Sequence, residues 1–330
     1  MRTRTIIMYA LFSASMCTQT LCATKFTLRE LSVPPSAKGA TAVAINDRGD
    51  IVGYSRSTRH TPDGDFDSFR AVLWQDGKLI DLSPSEDATE SKAAAINDKG
   101  DVLVNCGEYR AYLWSNGKFR NLGSLPGYRD AIGLAINNKG QVAGICTKAN
   151  GAQKPFIWAN GKMKALRMPP KCTLAWIVGM NDKGVILGGA EEYETHAYWV
   201  LWDGPKMKII DSPNGLHFNG INNNGLMIGS LFKRNGKRNA VVWQDGKLKR
   251  LLPPKGLREE RANAINDRGW VAGNALSGDK FHALVWLQKE VVDLSIPGRE
   301  TRANGINQAG TIVGVFTDAN GNFRPATWVN

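Results

Sequence analysis

Ala44–Gly53, AINDRGDIVG, decides the fold, because the chain keeps returning to it. It recurs as AINDKGDVLV, AINNKGQVAG, GMNDKGVILG, GINNNGLMIG, AINDRGWVAG and GINQAGTIVG, with shared asparagines at Asn46, Asn97, Asn137, Asn181, Asn222, Asn266 and Asn307. Spacings of 51, 40, 44, 41, 44 and 41 residues mark a solenoid, a propeller or an array. In each copy a short apolar run meets Asn-Asp-Xaa-Gly or a close variant. Asn and Asp side chains bond to nearby backbone and start turns, and glycine takes positive φ without strain. Between two apolar runs this predicts a hairpin whose type I turn closes on a glycine bulge, at Gly49 in the first copy.

About twenty residues after each copy stands a tryptophan: Trp74, Trp114, Trp158, Trp202, Trp243, Trp286 and Trp328. Asp76-Gly77, Asn116-Gly117, Asn160-Gly161 and Asp245-Gly246 follow, and such pairs between β-prone runs are strong hairpin signals. Each repeat is therefore read as four strands, a to d, with tight a–b and c–d turns and variable b–c and d–a connections. Ser55–Asp67 reads as a long b–c loop.

The ends of the chain choose among the architectures. Lys25–Leu31, KFTLREL, looks like strand d of the other repeats (KLIDL, KFRNL, KLKRL, EVVDL), yet no strand c precedes it. The last repeat stops at Trp328-Val329-Asn330 without a strand d. A closed ring needs one blade stitched from both ends, which predicts an all-β, seven-bladed β-propeller whose last blade is completed by the N-terminal strand. Residues 24–330 then form a single domain of about 44 residues per blade. Met1–Ala23 places Arg2 and Arg4 before the apolar run Ile6–Phe12. It reads as a secretory signal peptide, too short in its apolar part for a membrane anchor. The protein is expected to be exported, to the periplasm or outside the cell.

The turn motif is followed by Arg70-Ala71-Val72-Leu73-Trp74, Arg110-Ala111-Tyr112-Leu113-Trp114 and His282-Ala283-Leu284-Val285-Trp286. Together these resemble the bacterial extracellular HAF repeat, whose unit carries Gly-Ile-Asn-Asp-Xaa-Gly and then His-Ala-Phe-Leu-Trp. The resemblance covers nearly all of Lys25–Asn330. It implies an exported protein of propeller-like repeats and lends no activity. Val104 stands where the second glycine belongs, copy four carries the insertion HAYWVLW, and copy six has Leu287-Gln288-Lys289 in place of the Asp-Gly turn.

The formal charge is +12, or +10 once Arg2 and Arg4 are removed. Such a balance suits an anionic polysaccharide, an envelope component or an acidic protein surface, and competes with a merely solvated basic surface. Nucleic acid is an unnatural partner for an exported chain. Cys17 and Cys22 leave with the signal; Cys106 and Cys146 occupy the same point of adjacent repeats, and a bridge or two free buried thiols are both open. HExxH, GxSxG, CxxC and P-loop signatures are missing, and His60, His196, His217 and His282 are scattered. Asp63, Asp65 and Asp67 alternate as in a calcium loop, but Ser68 and Trp74 stand where Gly and Glu are required, so a solvated acidic loop is expected. Glu191-Glu192 and Glu259-Glu260 are sequence neighbours rather than facing carboxyls. No cofactor, metal or catalytic residue is assigned.

Comparing equivalent positions locates a candidate site. Five residues before the shared asparagines stand Thr41, Lys92, Ile132, Trp176, His217, Arg261 and Arg302; three before it, copies five to seven carry Asn219, Asn263 and Asn304. If strand a lines the channel, these residues build a cationic, amide-rich mouth on the loop face. Arginine forks suit carboxylate or phosphate; the competing reading is that the amides satisfy backbone between blades. Four residues before the strand-c tryptophans, Arg70, Arg110, Lys154, Asn239, His282 and Arg324 are expected to be structural, as are the tryptophans. Trp270, following a turn glycine, is expected exposed on the opposite face. The reading is an exported, non-catalytic binding protein for an anionic glycan, envelope component or protein partner. The alternative is a hydrolase or lyase at the channel mouth, which rests on fold analogy.

Overall fold

A computed structural model describes residues 25–330 apart from 63, 85–89, 108 and 193–195. The expected signal segment Met1–Ala23 and Asp63 lie outside the described residues. The chain forms seven four-stranded antiparallel sheets, each in the order a-b-c-d. Strands a are Gly39–Ile45, Ser91–Ile96, Asp130–Ile136, Leu174–Met180, Leu216–Ile221, Arg258–Ile265 and Thr301–Ile306. Each touches its counterparts in the two neighbouring blades, and the last touches the first, so the strands a ring a central axis. The fold is a seven-bladed β-propeller. Among the described residues no helix is long and apolar enough to cross a membrane.

Closure follows the pairing expected from the chain ends. Thr27–Glu30 lies antiparallel to Phe323–Val329, with Leu28 opposite Trp328 and Glu30 opposite Ala326. The Leu31 N–H extends the ladder to the Pro325 carbonyl at 2.8 Å, and Arg324 Nε reaches Glu30 Oε1 at 2.7 Å.

The a–b turns have the expected chemistry. Gly49 donates to the Asn46 carbonyl, Asn46 donates to that of Asp50, and Gly49 sits at φ 89°. At the c–d turn, Asp76 and Gly77 take φ 51° and 71°, the paired positive values of the two-residue turn that matches strand twist. Every strand a also carries a bulge ahead of the turn, for example between Ala42 and Ala44 and between Phe218 and Gly220. Asn219, Asn263 and Asn304 are the extra residues of three of these bulges.

The apolar core is divided among the interfaces. One buried cluster joins blades 1 and 2 around Val52, Leu73, Val102 and Val104, and comparable clusters fill the other six contacts. The strand-c tryptophans pack between blades: Trp74, Trp202, Trp286 and Trp328 each donate Nε1–H to a carbonyl of the preceding connection, at 2.6–3.1 Å. A large ring whose one polar group is satisfied suits such a joint.

Two expectations need correction, and one open alternative is decided. Ser55–Asp67 is not a loop: strands Ile51–Thr61 and Gly64–Gln75 continue through it as a long hairpin arm. Its polar side chains pair across the arm, Arg56 with Asp67 at 2.8 Å and His60 with Asp65 at 2.6 Å, so strand pairing survives a polar composition. Trp270 is half-buried, packed with the cluster between blades 6 and 7. The Cys106–Cys146 bridge is not formed; both thiols are free and buried, Cys106 in the joint of blades 1 and 2 and Cys146 in that of blades 2 and 3.

Candidate functional site

The turn face of the channel is closed by two rings of hydrogen bonds. Asn46 donates from Nδ2 to the Asn97 carbonyl at 3.0 Å, Asn97 to that of Asn137 at 3.1 Å, and so on through every blade until Asn307 reaches Asn46 at 3.1 Å. The same side chains hold their own turns: Asn46 Oδ1 accepts from the N–H groups of Arg48 and Asp50. Seven buried amides thus satisfy turn and neighbour together, as buried polar groups must. In the second ring each next residue donates its N–H to the side-chain oxygen of its counterpart one blade on, from Asp47 to Asp98 and finally from Gln308 back to Asp47. Asn138 bridges the carboxylates of Asp98 and Asp182, and Asn223 those of Asp182 and Asp267. Among the described residues no group of three or more His, Cys, Asp or Glu is placed to hold a metal ion. This face is a structural clasp.

The loop face is built differently. Lys92 Nζ lies 3.8 Å from the centroid of the Phe69 ring and 5.4 Å from Tyr54. Arg261 and Arg302 both rest against Phe281, at 4.9 and 4.8 Å, and Arg302 also against Phe323 at 5.4 Å. Trp176 meets Trp199 edge-on at 5.6 Å, and His217 lies between Trp199 and Phe232. Five of the predicted side chains therefore belong to a girdle of cations and aromatic rings running from blade 4 round to blade 2. Blade 3 interrupts it with Ile132.

The three amides do not face a ligand with their donors. Asn219 donates to the Ala262 carbonyl, Asn263 to that of Ala303 and Asn304 to that of Ala42, at 2.8, 2.8 and 2.9 Å. They stitch blade to blade, because a bulged residue points its short side chain at the adjacent backbone. The strand-c ring is also structural where it is paired: Arg70 reaches Asp81, His282 reaches Asp293 and Arg324 reaches Glu30, all on the adjoining strand d.

The girdle's phenylalanines are not evident from the positions compared in the sequence. Phe69, Phe281 and Phe323 each stand five residues before a strand-c tryptophan. Aligning that position, one residue ahead of the one compared, would have exposed them. Blade 5 places Arg238 there. At the joint of blades 5 and 6 a second cation therefore faces Arg261 where the joints of blades 1 and 2 and of blades 6 and 7 have phenylalanine, although each guanidinium still rests on a ring, Arg238 on Phe232 at 4.4 Å and Arg261 on Phe281. Burial, then the charges of Arg238 and Arg302, lower the Arg261 pKa from its ordinary value. The Nε–H groups of Arg238 and Arg261 are buried without a hydrogen-bond partner, whereas Arg302 is paired with Glu300 at 2.6 Å. The Arg238 and Arg261 side chains are only half-buried, so an oxyanion at the loop face would be met by the outer N–H groups of two adjacent guanidinium groups, as charge-assisted hydrogen bonds require.

No protein-family model matches the sequence, and no curated protein matches it. Among solved structures, the chain is similar to a puromycin-hydrolyzing peptidase of Mycobacterium tuberculosis, at 13% identity and a TM-score of 0.63, over 92% of this chain and 54% of that one. It is similar to the β-propeller domain of the Trilobed protease from Pyrococcus furiosus, at 10% identity and a TM-score of 0.59, over 88% and 94% of the two chains. YCF48, solved bound to D1 peptide, is similar at 10% identity and a TM-score of 0.54, over 94% and 97%. The chain thus spans about half the length of the peptidase. At these identities the likeness shows the propeller fold alone.

Proposed function

We propose that this propeller is an exported, non-catalytic binding protein whose loop face takes an anionic ligand, a glycan or other envelope component, at the joint of blades 5 and 6. One observation carries the reading: Arg238 and Arg261 stand together with their Nε–H groups unpartnered, at the one point of the girdle where an aromatic ring is replaced by a second cation. The half-buried Trp176 and Trp199 one blade away offer apolar faces of the kind that sugar rings cover. The signal-like Met1–Ala23 and the HAF-like repeats support export. A protein partner is the second reading, supported by YCF48, a propeller of the same fold bound to a peptide.

The test is a screen of the mature chain against acidic oligosaccharides and other small polyanions, each too short to span two blades, at two salt concentrations. Salt-resistant binding to one class, reduced at least tenfold by Arg238→Ala with Arg261→Ala, is the expected result. Unchanged binding by the double variant would remove the site. Weak binding to every polyanion, lost at high salt, would reduce the reading to surface charge. Absence of binding would move the assignment to a protein partner.

A further inference from the structure

The outermost strands divide the propeller's rim into two unlike halves. In blades 2 to 5 they are Lys118–Asn121 (KFRN), Lys162–Ala165 (KMKA), Lys206–Ile210 (KMKII) and Lys247–Arg250 (KLKR), with nine cations and no acid. In blades 6, 7 and 1 they are Val291–Asp293 (VVD), Thr27–Glu30 (TLRE) and Lys78–Asp81 (KLID), with two cations and three acids. All nine cations are exposed, and among the described residues only Arg250 joins an ion pair, with Glu260 at 3.2 Å. Charge on an outer strand guards its unpaired backbone against edge-to-edge association. That need is equal in all seven blades, and three of them meet it without a cationic excess. Edge protection therefore does not account for the asymmetry.

The basic strands also border clefts against the next blade. Lys162 and Lys164 stand over Ile157 and Leu166 in a cleft of about 680 Å³ between blades 3 and 4. Lys247, Lys249 and Arg268 stand over Leu251 and Trp286 in one of about 680 Å³ between blades 5 and 6, with Asp245 at its edge. Between blades 4 and 5 a cleft of about 620 Å³ has Lys183 and Lys208 beside Trp243, with Asp211 and Asp245 as its acids.

We infer that the rim of blades 2 to 5 is a docking surface for a linear acidic polysaccharide that crosses successive outer strands. The cations do not converge as a site for one small anion would require. They recur blade after blade, so the complementary partner must itself repeat its charge. Single-stranded nucleic acid is read by aromatic stacking within a basic groove, and the exposed large aromatic side chains among the described residues, Phe66, Tyr109 and Phe232, lie off these strands. An acidic peptide added along one edge would meet the cations of one strand only. This surface is independent of the Arg238–Arg261 site.

The experiment compares two variants of equal net charge. One carries Lys162→Glu, Lys164→Glu, Lys206→Glu and Lys208→Glu; the other carries Lys25→Glu, Arg29→Glu, Lys78→Glu and Lys289→Glu. Binding is measured to long-chain polygalacturonate, to galacturonate dimer, to an oligothymidylate and to poly-glutamate, with thermal melting as the check on folding. The first variant is expected to lose at least tenfold in affinity for the long polymer, and the second less than threefold. Neither should change dimer binding, because the effect depends on spanning several blades. If the first variant melts early, Lys162→Gln with Lys206→Gln is read the same way, with a loss of about threefold expected. Equal losses in both variants, or none in the first, overturn the surface. Tighter binding of the native protein to oligothymidylate or poly-glutamate than to polygalacturonate overturns the polysaccharide. Arg238→Ala with Arg261→Ala leaves polymer binding by the rim in place, which separates failure here from failure of the loop-face reading.

Discussion

Asn307 donates from Nδ2 to the main-chain carbonyl of Asn46, 3.1 Å away and 261 positions earlier in the chain. The joint of blades 7 and 1 is thereby bonded like every other joint, and the ring of amides has no seam.

Each member of that ring serves two blades, so its loss should be felt as a core mutation. Asn266→Ala removes the donor to Asn307 and the acceptor for the N–H groups of Arg268 and Trp270. With buried groups left unpaired, the cost is about 2–4 kcal/mol. A fall in melting temperature of about 5 °C is expected for a chain of this size. A shift within 1 °C would show that the ring adds nothing to stability.

Asp47 should be a site where removing a charge helps. Burial raises its pKa; the Gln308 N–H opposes this, and the carboxylates of Asp98, Asp267 and Asp182 push it further up. A carboxyl whose pKa is raised by folding destabilises the fold while charged, and the penalty is relieved as pH falls through the folded value. Asp47→Asn keeps an acceptor for Gln308 and places an amide where blades 3 and 5 carry Asn138 and Asn223. The turn is exposed, so solvent screening limits the gain to a few tenths of a kcal/mol. Urea unfolding at pH 7 should show the gain, and its disappearance in the acid range should follow. A loss at pH 7 would contradict the assignment.

Glu259 holds a left-handed backbone, φ 55°, in a bulge between Arg258 and Arg261 that the other blades lack. Its ion pair with Arg258 spans 3.8 Å at the surface and contributes little. Glu259→Gly should therefore stabilise the protein by about 0.5–1 kcal/mol, read as a higher denaturation midpoint. Glu259→Ala should not. Equal effects of the two would rule out backbone relief as the cause.

The thiols should separate by reactivity. Burial pushes the Cys106 pKa up to about 11 and raises that of Cys146. Cys172 is raised too, by burial and then by Glu192 and Glu191, but it is only half-buried. Since the thiolate is the reacting species, a disulfide reagent at pH 8 should modify Cys172 slowly and the other two only on unfolding. Peptide mapping of the labelled chain decides it; early labelling of Cys106 would contradict its burial.

The ring was legible because its signals are local or countable. Asn-Xaa-Xaa-Gly dictates a turn from within four residues, and KFTLREL is the strand that Trp328–Asn330 lacks. The amide clasp was not legible from turn chemistry, since the partner of Asn46 lies 51 residues away. The only hint was that all seven copies keep Asn, although Asp would start the turn as well. At the mouth, position along strand a brought Lys92, Trp176, His217, Arg261 and Arg302 into one comparison, and each has an aromatic neighbour. It could not show that Asn219, Asn263 and Asn304 sit on bulges, because a bulge is a property of the pairing and not of one strand. Ser55–Asp67 misled for the opposite reason: its polar residues find their partners across the arm, which composition does not record.

The pairing of Thr27–Glu30 with the last strand has a consequence for the order in which the molecule can be made. Glu30 and Arg324 are 294 positions apart, so the propeller strand that is synthesised earliest is among the last to find its neighbour. Six blades can form from local hairpins as the chain lengthens; the seventh waits for Phe323–Val329. Contacts of such long sequence separation slow folding, and until they form both flanks of the open ring remain available to other chains. The interval between synthesis and closure is therefore when this protein is most exposed to swapping its first strand with another copy.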